Sequence, residues 1–279
     1  MRLKQVMALK QAGVTMIQPG IEALSSSLLR RMRKGVSAAQ NIALLRYARS
    51  AVMYVGWSLL IGFPGEQLED YEDTLALLPL VHHLYPPQCL ADITLNRFSP
   101  YVDDPASYGI RNIRPEAVYT TVFPDHVDAS KLAYYFEADY ESAAHDSPEL
   151  RDELTRQVTL WREAWGEDWQ GGANGPPLLI VQRLSDRALL LRDTRGLAGT
   201  STLSLLSRQE ASVALVGRRY EPTPVLEWAL AHRIGVVLDG LYVPLATADP
   251  ALLLEFEEES RGFAAPDSPN PGPRSPGAA

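Results

Sequence analysis

The sequence predicts an α/β protein followed by a smaller α+β unit, and three stretches carry that prediction. The first is Val52–Glu66, VMYVGWSLLIGFPGE, an unbroken apolar run that ends in Gly62-Phe63-Pro64-Gly65-Glu66. A run without polar alternation suits a strand buried on both faces, as in a parallel sheet wrapped by helices. The second is what flanks it. Ala38–Arg49 reads as a helix feeding the strand, and beyond Gln67 the residues Tyr71, Leu75 and Leu78 recur at helical spacing. Strand, glycine turn and helix make one α/β unit, with its turn where such folds hold ligands. The third is the order after Pro177: a hairpin (Leu178–Leu184, Ala188–Asp193), two helices (Ser207–Val216, Thr223–His232) and a second hairpin over Val236–Ala246 turning at Asp239-Gly240.

Composition limits the reading further. With 279 residues and 46% apolar content the chain can bury a core and hold two units plus a tail. A net charge of −8 argues against nucleic acid or an anionic membrane as a general partner. One cysteine excludes a disulfide framework and suits a reducing cytoplasm. The longest apolar run is too short to span a bilayer, and Met1–Gln11 lacks the apolar centre of a signal peptide. A cytoplasmic protein is expected.

Taken in order, Leu3–Ala12 is the end of a helix closed by Gly13, Val14–Gln18 a short strand, and Pro19-Gly20 a turn. Ser25–Lys34 follows as a helix with Leu28, Leu29 and Met32 inward and Gly35 as its cap. Its Arg30, Arg31, Arg33 and Lys34 could meet a phosphate or a peptide, but a solvated helix end favoured by the dipole is the simpler reading. His82 and His83 are adjacent on a helix and diverge by about 100°, so they do not share a metal. His126, His145 and His232 show no helical pairing, and no metal is assigned to histidine. Cys89 reads as a buried structural thiol before a strand over Ala91–Phe98. The turn-rich Ser99–Pro115 would cross the carboxyl ends of the strands. Ala129–Ala144 is expected to be helical, its Tyr134, Tyr135, Phe136 and Tyr140 packing in the core. Pro148–Trp169 is an amphipathic helix with Leu154, Val158, Trp161 and Trp165 in one stripe. Gln170–Pro177 is a linker by composition, and Gly262–Ala279 is too poor in apolar residues to fold.

Three motifs in order then add a resemblance. Ile17-Gln18-Pro19-Gly20-Ile21-Glu22, running on to Met32-Arg33-Lys34-Gly35, resembles the end of the fourth strand in radical S-adenosylmethionine enzymes. The Gly62–Glu66 turn is similar to the end of the fifth, and Thr94–Tyr101 to the sixth and its exit. Within that superfamily, Gly13 to about Ser142 most resembles the cobalamin-dependent C-methyltransferases that mature ribosomally made peptides. The resemblance implies the C-terminal half of a (β/α)6 partial barrel, strands four to six, over residues 1–115. A helical extension (116–170), a linker (171–177), a winged-helix-like module (178–256) and a disordered tail (257–279) follow.

The resemblance also implies a site. Glu22 takes the position of the polar residue that receives the ribose hydroxyls, Ser58 that of a second ribose-facing group, and Leu60, Ile61 and Gly62 that of the adenine-packing segment. Backbone near Asn96 and Phe98 would pair with the adenine edge. The blander alternatives are that Glu22 is a carboxylate at a helix N-terminus and the glycine turn a plain β-to-α connection, and the three motifs together favour the cofactor reading. The family's chemistry is reductive cleavage of S-adenosylmethionine at a four-iron four-sulfur cluster, hydrogen abstraction from an unactivated carbon, and methyl delivery from cobalamin. The cluster is held there by a C-x-x-x-C-x-x-C loop, which this chain lacks, Cys89 being its one cysteine. The chain is therefore expected to be inactive alone, a carboxyl-terminal portion working with a separate half that carries the cluster. The alternative is a non-catalytic scaffold that binds the precursor peptide, its winged module holding a leader by strand addition. Thr223–His232 offers Glu227 and His232 among apolar residues, unlike a DNA-reading helix. Three strands of a six-stranded barrel should leave an unpaired edge and a poorly protected first hundred residues.

Overall fold

The computed structural model describes residues 1–124, 126–166 and 175–262. Most of the predicted linker, the end of the helix drawn to Trp169 and nearly all of the tail lie outside the described residues. The first part follows the α/β order with shorter strands. Helix α1 (Leu3–Gln11) gives way at Gly13, φ +88°, to β1 (Met16–Ile17). Helices α2 (Ser26–Arg31) and α3 (Ala38–Ser50) start at Ser25 and Ser37, whose hydroxyls accept from the backbone N–H three residues on. Strand β2 (Tyr54–Val55) then pairs parallel to β1.

The run read as one strand is two. Beyond β2 the chain bends through Gly56-Trp57-Ser58 into β3 (Leu59–Ile61), which pairs parallel not with β1 but with β4 (Leu90–Asp92). Trp57 is held out of the ladder by its carbonyl, which accepts from Gln88 N–H at 2.7 Å, and by its indole N–H, which donates to Tyr85 O at 3.0 Å. Helix α4 (Glu69–Leu77) carries Glu69, Asp70 and Glu72 in its first turn, where the dipole favours acid. His82 and His83 are not on a helix. They lie in the loop beyond it, where Trp161 Nε1 donates to Leu84 O and Trp165 Nε1 to His82 O.

Strand β4 does not continue to Phe98. After Asp92 the chain leaves the parallel sheet, and β5 (Leu95–Asn96) joins a separate antiparallel sheet. Helix α5 (Pro100–Asp103), strand β6 (Arg111–Pro115) and helices α6 (Val118–Val122) and α7 (Ala129–Leu132) follow. Strand β7 (Tyr135–Asp139) then pairs with both β5 and β6. The helix expected over Ala129–Ala144 is thus one turn and a strand, because Tyr135–Asp139 alternates in and out around Phe136 and finds two strands to pair with. This lobe has its own small core of Leu95, Ile110, Ala133 and Phe136. Helix α8 (Ala143–Asp146) leads to α9 (Pro148–Trp165), whose Leu154, Val158, Trp161 and Trp165 are all buried as their spacing requires.

In the last part, β8 (Leu179–Ser185), β9 (Ala188–Asp193) and β10 (Leu203–Leu206) form a meander. After α10 (Arg208–Leu215), β11 (Arg218–Arg219) and α11 (Pro224–Ala231), the predicted hairpin appears as β12 (Gly235–Leu238) and β13 (Leu241–Pro244), paired with β11. Strand β14 (Thr247–Ala248) then adds parallel to β8. Helix α12 (Pro250–Gly262) runs across the boundary drawn between residues 256 and 257. The two hairpins therefore belong to different sheets, and β10, β11 and β14 are elements the sequence reading did not contain.

This unit does not stand apart. Its Leu179, Val181, Ala214, Leu245 and Phe256 share one hydrophobic cluster with Leu28, Ile42, Leu45, Val55 and Ile61. Buried Arg46 of α3 donates to Ala246 O and Leu215 O, His83 Nε2 lies 2.8 Å from Leu245 O, and Arg195 donates to Leu80 O at 2.7 Å. The buried residues from Leu3 to Tyr85 therefore share their core with the last unit, and Met16 on β1 is exposed.

Candidate active site

The glycine turn after β3 is shaped by Glu66. Its carboxylate, 1% exposed, accepts from Phe63 N–H (2.8 Å), Tyr71 Oη (2.5 Å), Ser142 Oγ (2.7 Å) and Ala144 N–H (3.0 Å). Burial and the Glu66 charge push the Tyr71 hydroxyl well above its usual value, so it stays a donor. Gly62, φ +81°, is obligatory for another reason. A Cβ there would stand 2.9 Å from both Asp92 Oδ1 and His145 Nε2. Asp92 is gripped by Arg151 (2.9 and 2.7 Å) and lies 3.2 Å from His145 Nε2, and the Arg151 hydrogen bonds hold its carboxyl below the usual range.

At the carboxyl ends of β3 and β4 opens a cleft of about 360 Å³. Glu22, Lys34, Leu60 and Phe63 line one side, and Asn96, Ser99, Tyr101 and Tyr108 the other. Glu22 is set there by its backbone, whose carbonyl accepts from Leu60 N–H at 2.8 Å, while Lys34 Nζ lies 2.7 Å from each of its carboxylate oxygens. It faces the C-terminal end of α2, not the N-terminus, where Ser25 is the cap. Across the cleft, Asn96 Oδ1 and Ser99 Oγ are buried with no hydrogen-bond partner. The Tyr101 and Tyr108 rings meet edge to face at 4.8 Å, and burial, with Tyr108 and Glu22 nearby, pushes the Tyr101 hydroxyl up to about 12.

Of the residues assigned from the sequence, Glu22, Leu60 and Asn96 come together in this cleft. Ile61 is fully buried behind it, and Gly62 adjoins Asp92 rather than lining the space. Ser58 instead sits 3.4 Å from Cys89 Sγ. Phe98 is 79% exposed, with φ +70°, and does not line the cleft. Cys89 is exposed, contrary to the buried thiol expected, because it precedes β4 on the chain's outer side. The arginine cluster is not simply solvated: Arg31 pairs with Asp70 at 2.9 Å, Arg30 with Asp239 at 3.4 Å, and Arg33 stacks 5.3 Å over Tyr108. Asn96 as a side chain, Ser99, Tyr101 and Tyr108 were missed as site residues. The signal available was the density of hydroxyl and amide groups between Asn96 and Tyr108.

An unpartnered amide oxygen and an unpartnered hydroxyl, sharing the cleft with a carboxylate and two phenols, fit an adenosyl group: a nucleobase amine can donate to Asn96 Oδ1 and ribose hydroxyls to Glu22. A four-iron cluster does not fit the donor set. The 279 residues contain one cysteine, and among the described residues no three His, Cys, Asp or Glu side chains are placed to hold a metal. No helix among the described residues is long and apolar enough to cross a membrane.

Residues 1–78, which contain Glu22, Lys34, Leu60 and the glycine turn, match the model of the Radical SAM superfamily. More particularly, the chain is similar to the tRNA-2-methylthio-N(6)-dimethylallyladenosine synthase of Pelotomaculum thermopropionicum, 35% identical over 60 residues. That stretch is 21% of this chain and 13% of the relative. No solved structure matches.

Proposed function

We propose that the cleft between Glu22 and Asn96 binds S-adenosylmethionine, and that the chain is the adenosyl-binding part of a radical enzyme that modifies a peptide. The observation that carries the first half is the pair of unpartnered buried polar atoms, Asn96 Oδ1 and the Ser99 hydroxyl, on residues that line one cleft with Glu22. S-adenosylmethionine beside a reducing iron–sulfur centre supplies a carbon-centred radical. The chain's own residues bind and orient. The Glu22–Lys34 ion pair offers one charge of each sign to a zwitterionic ligand, and protonated Tyr101 donates a hydrogen bond. Because the chain brings one cysteine, the cysteine ligands of a cluster must come from outside these 279 residues.

Peptide C-methylation is supported by the resemblance of residues 13–142 to the cobalamin-dependent maturation enzymes. The named relative acts on tRNA, but a net charge of −8 disfavours a polyanionic substrate. A specific observation favours the scaffold reading as well: β10 is a free sheet edge with Leu203 and Leu205 exposed on one face, which suits strand addition by a peptide. Calorimetric titration of the chain with S-adenosylmethionine tests the cleft. Asn96→Leu and Glu22→Gln should each weaken binding about tenfold or more. Unchanged affinity in both variants, or no binding at millimolar ligand, rejects the site.

A further inference from the structure

A second cavity, of about 430 Å³, opens between α3 and the β11–β13–β12 sheet, and its polar lining carries an excess of positive charge. Arg46 is 2% exposed and donates Nε to Ala246 O (2.9 Å) and Nη2 to Leu215 O (3.0 Å). No carboxylate among the described residues pairs with it. Glu257, whose charge it feels, instead accepts from Tyr47 Oη at 2.8 Å. Arg218 lines the same cavity and donates to Ser212 Oγ at 3.1 Å, again without a carboxylate among the described residues. Tyr242, also in the lining and 1% exposed, has a hydroxyl with no hydrogen-bond partner. That hydroxyl is held in place over Gly235, where any side chain would overlap it.

Buried cations are normally paired and buried hydroxyls normally bonded. Here buried Arg46 and exposed Arg218 line one cavity with no carboxylate partner among the described residues, and the Tyr242 phenol has no partner. Arginine forks match the oxygens of a phosphate, and the volume is that of a small-molecule site. We propose that this cavity binds a small phosphorylated ligand, its phosphate held by Arg46, Arg218 and the Tyr242 hydroxyl and its organic part against Tyr47. Burial holds the Arg46 guanidinium below its usual value, and an anion reverses that penalty. Arg46 belongs to the segment that matches the superfamily model, and Arg218 and Tyr242 to the last sheet. The ligand therefore binds across the junction of the two and stabilises the shared core by linkage.

The test uses the full chain, with thermal unfolding and calorimetry in inorganic phosphate, phenyl phosphate and chloride matched for ionic strength. Phosphate should raise the melting temperature above the chloride control, and phenyl phosphate should bind at least about tenfold more tightly. Equal affinity for the two would reject an organic ligand and leave free phosphate as the anion. Arg218→Gln should weaken both by about tenfold or more with the circular dichroism unchanged. Tyr242→Phe should melt like the unchanged protein without phosphate, since its hydroxyl bonds nothing, yet bind phosphate several-fold more weakly. No phosphate-specific shift, a shift untouched by both substitutions, or a Tyr242→Phe protein already unstable without phosphate overturns the proposal.

Discussion

One wall of the cleft, which includes Phe63 of the Gly62–Glu66 turn, lies over the large shared core. The other, the Leu95–Tyr140 lobe, folds around four buried residues of its own. In the turn a single carboxylate gathers four donors from three separate segments. In the lobe, Tyr134, Tyr135, Val118, Val122 and Leu132 are exposed, and the connections to the rest of the molecule are few. A ligand in the cleft would thus meet one surface fixed in advance and one able to adjust, and the unpartnered polar atoms of Asn96 and Ser99 are on the adjustable side.

That contrast is broken most severely at Glu66. Glu66→Ala strands Phe63 N–H, Ala144 N–H and two hydroxyls in a dry site, and should cost about 3–5 kcal/mol. Urea unfolding gives the number; a loss under about 1 kcal/mol would mean the turn is not fixed by this residue. Phe136→Ala should cost about 3 kcal/mol, but locally. Hydrogen exchange should quicken across Leu95–Asn96 and Tyr135–Asp139 while Val55 and Ile61 keep their protection. Equal loss in both regions would show that the walls share one core.

The same division explains what was legible in the sequence. Helices α1, α3 and α9 follow from capping residues and apolar spacing, which are local properties, and all lie near their predicted bounds. The glycine turn was legible because Gly62, Pro64 and Gly65 punctuate an apolar run. The role of Glu66 was not, since its donors Ser142 and Ala144 lie more than seventy positions away. The break between β2 and β3 depends on Gln88 and Tyr85 reaching back to Trp57, and β7 is a strand only because β5 and β6 flank it. Glu22 and Asn96 were found through motif resemblance. Asn96's significance lies instead in a side-chain oxygen with nothing to bond, a fact only three dimensions supply.

A gentler perturbation reaches the shared core through His82 and His83. Burial, with help from the Arg195 charge, holds both below the usual histidine value, His82 at about 4. Unfolded, they titrate near 6.5, so below that pH the unfolded chain takes up protons that the folded chain refuses. Their contribution is complete above about pH 6.5 and is lost progressively as the pH falls towards 4. Stability should drop by about 2 kcal/mol between pH 7 and 5 for each histidine that stays neutral in the folded chain. His83→Gln, which can still donate to Leu245 O, should flatten that slope. An unaltered slope assigns the pH dependence elsewhere.

The smallest expected effect sits where the two walls touch. Helix α2 ends with Arg33 in the left-handed region, φ +54°, its N–H donating to Arg30 O and that of Lys34 to Leu29 O. This closing position, expected at Gly35, favours glycine, and a side chain there costs about 1 kcal/mol. Arg33 offsets part of that by stacking its guanidinium 5.3 Å over Tyr108, a contact between the fixed wall and the lobe worth about 0.5–1 kcal/mol when exposed. Arg33→Gly removes the strain and the stack together. Global stability should therefore change by less than about 1 kcal/mol, whereas exchange around Pro105–Tyr108 should quicken and affinity for S-adenosylmethionine fall several-fold. Lys at this position keeps the charge and the strain but stacks less well, so its affinity should lie between the two. If Arg33→Gly leaves both exchange and affinity unchanged, the stack does not couple the walls, and the lobe is held in place by its own four buried residues.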